Sequence, residues 1–262
     1  MPASADARGR ELIELANRQG YVPPPPKYRS EHDYRGREEE TAIDYMQLLL
    51  DPQRTALLAI DMQNIFVREG APISAAPGAE IVPPINRVVA AFRELELPVI
   101  WTAWCHRPDG SNMGRNGAFW RGIAPLDPRG DLAQIHPSLD YREGEDILLE
   151  KPKYSSFWGT DLEAILNTFG TESLVLSGIA TDVCVGQTLV EAFHRDYNCA
   201  VVADGTATTT PFQDETLWVH ENYWGRVMTA EEIETELLTL AGRRPDAARS
   251  LAGNNTSTKG VA

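Results

Sequence analysis

Three short apolar runs each end in a side chain that could take part in hydrolysis. The run TALLAID ends in the carboxylate of Asp61, DILLEK ends in the ammonium of Lys151, and LVLSGIATDVC ends in the thiol of Cys184. If the three runs are parallel strands of one sheet, these groups meet at its carboxyl edge, where open α/β sheets bind ligands. A thiol, an acid and a base gathered there predict a hydrolase with a cysteine nucleophile.

Cys184 follows a strand-like run and lies near the start of a segment, 182–197, that could be helical. Backbone N–H groups and the dipole in a first helical turn favour a thiolate and would lower the pKa of the Cys184 thiol from about 8.5. The same N–H groups could bind a developing oxyanion. The alternative is a small buried apolar residue, which is our interpretation of Cys199. Cys105 lies in a long loop and could line a pocket.

A thiol nucleophile needs a base, and none of the five histidines lies at the end of a predicted strand. Asp61 is therefore the predicted base, and a lysine beside it would keep the carboxylate ionised and stabilise the thiolate. Each residue has a plainer interpretation. Asp61 could cap the turn after its strand, and Lys151 could be a solvated lysine, with Lys153 as a competitor for its role.

Several other side chains near these strand ends could contact a substrate. Aromatic rings could stack on a planar ureido group or ring, although core packing explains each of them as well; they are Trp101, Trp104, Phe119, Trp120, Phe157 and Trp158. Amides could read a substrate amide, and arginines could bind a carboxylate or be solvated; they are Gln63, Asn64, Gln213, Arg107, Arg115 and Arg121.

The elements that must place these groups alternate along the chain. Strands are predicted at 55–61, 98–103, 146–150, 173–177, 199–204 and 225–228. Between the first two, 83–95 has apolar residues at the i, i+3, i+4, i+7 spacing of a helix. Nearly continuous apolar strands are typical of parallel sheets buried on both faces. We predict an α/β domain at 51–242: a three-layer, doubly wound, Rossmann-like sheet of about six mainly parallel strands with helices on both faces.

Two capping boxes predict where later helices begin. They pair Thr160 with Glu163, and Thr229 with Glu232. Residues 104–145 form a long loop rich in Gly and Pro, and loops of this length often shape an active site.

The ends of the chain differ from this domain. Residues 1–50 form an N-terminal extension with a possible helix from Ser4 to Gln19 and a polyproline stretch, VPPPPK. We interpret the extension either as partly ordered or as an oligomerisation arm that packs on a neighbouring subunit. Residues 243–262 are predicted to be a disordered tail.

Charge and cysteine content exclude several classes of partner. The formal net charge of the 262 residues is −14, with 38 acidic and 24 basic side chains, which disfavours nucleic acid and anionic membranes. The three cysteines form no CxxC pair, and no apolar stretch approaches the roughly 20 residues that a membrane span needs. These features predict a cytoplasmic protein with reduced thiols.

The chain resembles the isochorismatase-like cysteine hydrolases over about residues 55–240. The motifs are ALLAIDMQNIF, LLEKPKYSSFWGTDLEAIL and LVLSGIATDVCVGQTLVEAF. The resemblance implies that Asp61, Lys151 and Cys184 are the catalytic triad, with Lys151 three residues before Tyr154 as in the family motif. It also implies a cis peptide before Ala180, with the N–H groups of Ala180 and Cys184 as the oxyanion hole.

The motifs also narrow the branch of the family. Nicotinamidases carry a metal-binding Asp two residues before a His, but here Trp104 precedes His106. We therefore predict no metal and no cofactor. Isochorismatases that cleave a vinyl ether lack the cysteine, which this chain has. A nucleotide-binding Rossmann protein is disfavoured, because Met62, Gln63 and Asn64 stand where a Gly-rich turn would be needed.

What remains is an amidohydrolase that cleaves a C–N bond of a small amide or of a ureido or carbamoyl compound, such as ureidoacrylate or biuret. It would act through a thioester and release ammonia or an amine. By resemblance it would be a homo-oligomer, a tetramer or dimer. The alternatives are a nicotinamidase-like amidase and a non-catalytic scaffold of the same fold.

Overall fold

A computed structural model describes residues 3–28, 45–74, 77–119 and 124–243. Its centre is a sheet of six parallel strands in the order β3-β2-β1-β4-β5-β6. The strands are β1 (Thr55–Ile60), β2 (Val99–Trp104), β3 (Ile147–Lys151), β4 (Ser173–Ile179), β5 (Asn198–Ala207) and β6 (Arg226–Met228). Each predicted strand is present, so the predicted α/β class is confirmed.

Helices cover both faces of this sheet. They are α1 (Ala3–Gln19), α2 (Asn64–Val67), α3 (Val82–Glu94), α4 (Asn116–Phe119), α5 (Leu162–Thr168), α6 (Gly186–Phe193), α7 (Gln213–Tyr223) and α8 (Ala230–Leu240). Short 3-10 turns lie at Tyr45–Leu48 and Asp131–Ala133, and a π-helical turn at Thr181–Val185 leads into α6.

Alternate residues of the central strands enter two different cores. Leu57 and Ala59 of β1 pack with α3 and α8, whereas Leu58 and Ile60 pack with α5, α6 and α7. This follows from the two-residue period of a strand, which sends neighbouring side chains to opposite faces. All six residues of β1 and of β2 are buried, as expected for a parallel sheet between two helical layers.

One predicted capping box forms and the other does not. The Thr229 hydroxyl accepts the Glu232 N–H at the start of α8, and the Glu232 carboxylate accepts the Thr229 N–H at 2.7 Å. At α5 the prediction is wrong. The Thr160 hydroxyl accepts the N–H of Leu162 at 3.2 Å rather than that of Glu163, and it donates to the carbonyl of Ser156 at 2.5 Å. The N-cap residue of α5, Asp161, makes no side-chain cap.

The described part of the N-terminal extension packs on its own domain. Leu12 and Ala16 of α1 are buried against Leu49 and Leu240 in a small apolar cluster. The chain after α1 is held by Tyr21, whose hydroxyl donates to Glu236 of α8 at 2.7 Å. An arm on a second subunit stays a prediction. Residues 29–44 and the tail from 244 lie outside the described residues.

No helix in the described ranges is both long and apolar enough to cross a membrane. The loop between β2 and β3 is anchored to the residues after β1 by an antiparallel bridge between Gln63 and Ile135. This bridge holds the loop beside the carboxyl edge of the sheet, where the predicted site lies.

Candidate active site

Asp61, Lys151 and Cys184 come together at the carboxyl edge of the sheet. Asp61 follows β1 in a left-handed conformation (φ 54°), Lys151 is the last residue of β3, and Cys184 lies in the π-helical turn after β4. Lys151 Nζ lies 2.7 Å from Asp61 Oδ2, and both side chains are fully buried. The Cys184 thiol interacts with both of them.

All three N–H bonds of the Lys151 ammonium have acceptors. Besides Asp61, it donates to the carbonyls of Lys153 and Tyr154, each at 3.0 Å. Burial alone would lower the pKa of Lys151, but the adjacent Asp61 carboxylate and Cys184 outweigh it, so this pKa is raised. Lys151 is therefore a fixed positive charge at neutral pH, and the solvated interpretation of this lysine is wrong.

The surroundings of Cys184 favour its neutral thiol over the thiolate. Burial raises the pKa of Cys184; Lys151 lowers it and Asp61 raises it, and the net direction is upward. The expectation of a pKa lowered by a helix terminus is wrong, because the desolvation of a 7 % exposed thiol outweighs the local dipoles. Nucleophilic attack therefore needs a base that removes the proton.

Thr102 is a site residue that the sequence analysis missed. Its hydroxyl donates to Asp61 Oδ1 at 2.7 Å, while Lys151 donates to the other carboxylate oxygen. The one signal in the sequence is a hydroxyl residue inside the apolar run PVIWTAW.

The turn that carries Cys184 is held by its neighbours. The Ile179–Ala180 peptide is cis, as the resemblance implied. No backbone hydrogen bond of the described residues uses the Ala180 N–H outside the regular elements. The Thr188 hydroxyl of α6 donates to the Cys184 carbonyl at 2.7 Å.

The side chain of Gln213 is hydrogen-bonded to residues at and near this turn. Its Oε1 accepts from the Thr181 hydroxyl at 2.8 Å, and its Nε2 donates to the Thr206 carbonyl at 3.1 Å. Both ends of the amide are thus used inside the fold, which argues against the predicted substrate contact. Gln63 is likewise fully buried, with its amide bonded to Trp104 and Ala133.

Asn64 has an unused acceptor. Its Nδ2 donates to the Asp131 carbonyl at 2.8 Å, whereas its buried Oδ1 has no hydrogen-bond partner among the described residues. An unpaired buried acceptor is costly unless water or a ligand donates to it. Asn64 therefore remains a candidate for a substrate N–H.

The aromatic residues predicted as possible substrate contacts differ in their burial. Trp104 is buried between Phe66 and His106, with ring centroids 6.1 and 4.5 Å away, so it is core packing rather than an open stacking surface. Phe157 is buried in the same apolar cluster as Cys184 and stays a candidate wall of the site. Trp101 is fully buried in the opposite core; Phe119 and Trp158 are exposed; Trp120 lies outside the described residues.

A cavity of about 490 Å³ opens beside Lys151. Its lining includes Cys105, His106, Arg107 and Glu150, but neither Asp61 nor Cys184. Three arginines were predicted as possible substrate contacts. Arg107 lines this cavity and Arg115 does not, whereas Arg121 lies outside the described residues.

Within the described ranges, no three His, Cys, Asp or Glu side chains are grouped closely enough to hold a metal ion. Trp104 and His106, the two residues on which the predicted absence of a metal was based, are both buried.

The fold and this site define a Rossmann-like α/β protein with a buried thiol, carboxylate and ammonium at the edge of a parallel sheet. The Isochorismatase domain family model matches residues 55–232. The chain belongs to this family.

Three proteins similar to this chain carry names that refer to amidase chemistry. A ureidoacrylate amidohydrolase, RutB, of Methylorubrum extorquens is 32 % identical over 215 residues, covering 74 % of this chain and 87 % of its own. A probable inactive nicotinamidase of Arabidopsis thaliana is 35 % identical over 163 residues, covering 61 % and 83 %. The solved N-carbamoylsarcosine amidase of Thermoplasma acidophilum has a TM-score of 0.59 and 27 % identity, covering 69 % and 97 %. These similarities support amidohydrolase activity in general.

Proposed function

We propose that the protein is a cysteine-dependent amidohydrolase that cleaves a C–N bond in a small ureido or carbamoyl compound. The observation that carries the proposal is the fully buried Asp61–Lys151 ion pair against the Cys184 thiol. A buried ion pair is weak support for stability by itself, but beside a neutral thiol it supplies a charged base next to a nucleophile. The similarity to amidases of ureidoacrylate and N-carbamoylsarcosine favours this substrate class.

The reaction would begin when Asp61 takes the thiol proton and the Cys184 sulfur bonds to the substrate carbonyl carbon. The resulting oxyanion would accept hydrogen bonds from the N–H groups of Ala180 and Cys184. Asp61 then returns the proton to the leaving nitrogen as the C–N bond breaks, which releases ammonia or an amine and leaves a thioester.

The thioester would be hydrolysed by the same groups. Asp61 takes a proton from water, the hydroxyl adds to the carbonyl carbon, and the C–S bond breaks as Cys184 recovers its proton. Lys151 keeps its charge throughout, because its three N–H bonds already have acceptors. Its role is to orient Asp61 and to offset negative charge on carboxylate and sulfur.

Arg107 and Asn64 are the proposed substrate contacts outside the reacting centre. Arg107 lines the cavity and forms no ion pair with the other described residues, so it could bind a substrate carboxylate. The open Oδ1 of Asn64 would accept a ureido N–H. We expect Arg107→Gln to raise the KM of a ureido acid roughly ten- to a hundredfold, because a charged hydrogen bond is lost. The neutral-amide KM should not change, and Arg115→Gln, outside the cavity, is the matched control.

Ammonia release from a panel of ureido acids, carbamoyl compounds and primary amides tests the proposed reaction. Cys184→Ala should reduce turnover by about a thousandfold or more. Cys199→Ala is the control, since Cys199 is also a buried free cysteine but lies at the other end of the sheet. Turnover that survives Cys184→Ala would exclude the thiol mechanism.

Two alternatives remain as outcomes of this panel. Turnover of nicotinamide alone would indicate the nicotinamidase-like activity. If every substrate fails and Cys184 also resists alkylation, the protein would be a non-catalytic scaffold; similarity to a probable inactive nicotinamidase of Arabidopsis thaliana is the observation that makes this alternative worth testing.

A further inference from the structure

Thr102 lies between the two charged residues of the site. In the strand order β3-β2-β1, Lys151 on β3 must reach Asp61 across β2. Thr102 of β2 is paired in register with Ile60, the residue before Asp61, and it is fully buried. Its hydroxyl therefore faces an environment in which an unpaired polar group would be costly.

The Thr102 hydroxyl holds both the backbone and the side chain of Asp61. It donates to Asp61 Oδ1 at 2.7 Å and accepts the Asp61 N–H at 3.2 Å. The same N–H also reaches the Thr102 carbonyl at 3.2 Å. A hydroxyl has one proton, so the Thr102 hydroxyl that donates to the Asp61 carboxylate has no proton left to donate to another group.

Each carboxylate oxygen thus receives its own donor. The Thr102 hydroxyl donates to Oδ1 and the Lys151 ammonium donates to Oδ2, each at 2.7 Å. Without the hydroxyl, the carboxylate is free to turn about its last side-chain bond and to offer either oxygen to Lys151. The angle at which it meets the Cys184 proton would then no longer be fixed.

We propose that Thr102 is a positioning residue that orients Asp61 for proton transfer to and from Cys184. This inference rests on the proposed function in assigning Asp61 as the base. It adds a fourth residue whose substitution changes the proton-transfer step without removing a reacting group.

The test compares Thr102→Val, which keeps the shape and removes the hydroxyl, with Thr102→Ser, which keeps the hydroxyl. We expect Thr102→Val to reduce kcat by roughly ten- to a hundredfold, as for a misaligned catalytic group, with KM nearly unchanged. Thr102→Ser should restore most of kcat. Thr55→Val is the matched control, because the buried Thr55 hydroxyl donates to the Asp51 carbonyl at the opposite end of the sheet.

A second readout needs no substrate. The rate at which iodoacetamide alkylates Cys184, followed by peptide mass spectrometry, falls toward acid pH because the thiol is then protonated. The Asp61 carboxylate raises the pKa of Cys184. Without the Thr102 hydrogen bond the charge of this carboxylate is less compensated, so the acid limb should move to higher pH in Thr102→Val, but not in Thr102→Ser or Thr55→Val. A purely structural role would lower thermal stability and leave the limb in place.

The outcomes separate this inference from the proposed function. Unchanged kcat and an unmoved acid limb in folded Thr102→Val would overturn the inference. If wild type turns over no substrate, the proposed function fails while the alkylation limb still decides the role of Thr102. If Thr102→Val does not fold, Thr102→Ala takes its place in both assays.

Discussion

Replacement of Lys151 by methionine is the sharpest test of the buried ion pair. Lys151→Met keeps much of the apolar stem but removes the charge that pairs with Asp61 at 2.7 Å. Both side chains are fully buried, so no solvent replaces the lost partner. The carbonyls of Lys153 and Tyr154 lose their donor at the same time.

The expected cost follows from that burial. Removing one partner of a buried ion pair typically costs about 3–5 kcal/mol, because the other charge stays in the interior without compensation. For a domain of this size, each kcal/mol corresponds to a Tm change of about 2–4 °C. Lys151→Met should therefore lower Tm by about 6–20 °C.

Urea unfolding at one fixed protein concentration measures the loss in the free energy of unfolding, and a thermal melt measures the change in Tm. The double variant Asp61→Asn/Lys151→Met should be more stable than Lys151→Met alone, since it leaves no unpaired buried charge. The control is Arg68→Met, which breaks the exposed Arg68–Asp131 pair and should cost less than about 1 kcal/mol. If Lys151→Met and Arg68→Met agree within about 1 kcal/mol, the argument from burial is wrong.

Two further predictions concern titration. Burial raises the pKa of Cys184, whereas Lys151 lowers it; at pH 8 iodoacetamide should therefore alkylate Cys184 more slowly in Lys151→Met than in wild type. This variant should also lose amide hydrolysis, and an alkylation rate equal to that of wild type would contradict the contact assigned between Lys151 and Cys184. Burial lowers the pKa of His220 from 6.5 to about 4, so the unfolded state binds the proton first and stability falls as pH drops through this window, by up to roughly 3 kcal/mol. Urea unfolding at pH 7 and pH 4.5 should show a flatter dependence in His220→Gln, whereas His194→Gln, which removes an exposed ring, should keep the wild-type slope.

Local pattern was enough to predict the strands of the sheet and their alternation with helices along the chain. Apolar runs predicted each strand, because burial between two helical layers requires nearly every strand residue to be apolar. The box at Thr229 and Glu232 predicted the start of α8, because a capping box is formed by residues three apart. Strand ends likewise predicted which residues meet at the carboxyl edge.

The capping box predicted at Thr160 does not form, which shows that local sequence pattern alone does not determine hydrogen-bond partners. The Thr160 hydroxyl accepts the N–H of Leu162 rather than that of Glu163. Its proton is donated to the Ser156 carbonyl of the preceding loop. The same limit applies to Gln213 and Trp104, which were predicted to contact substrate. The Gln213 amide is hydrogen-bonded to Thr181 and Thr206. The Trp104 indole packs between Phe66 and His106. These neighbours are brought together only by tertiary packing.

The sequence by itself determined the residue types at the site, the parallel sheet and the family. The tertiary structure alone decided the state of the site: that Cys184 is buried enough to remain a thiol, that Lys151 has three acceptors, and that Thr102 is bonded to Asp61. Those properties depend on desolvation and on pairs such as Asp61 and Lys151, which are 90 residues apart along the chain. Periodicity in a sequence reports which face of an element is buried, but it does not report which polar group lies opposite.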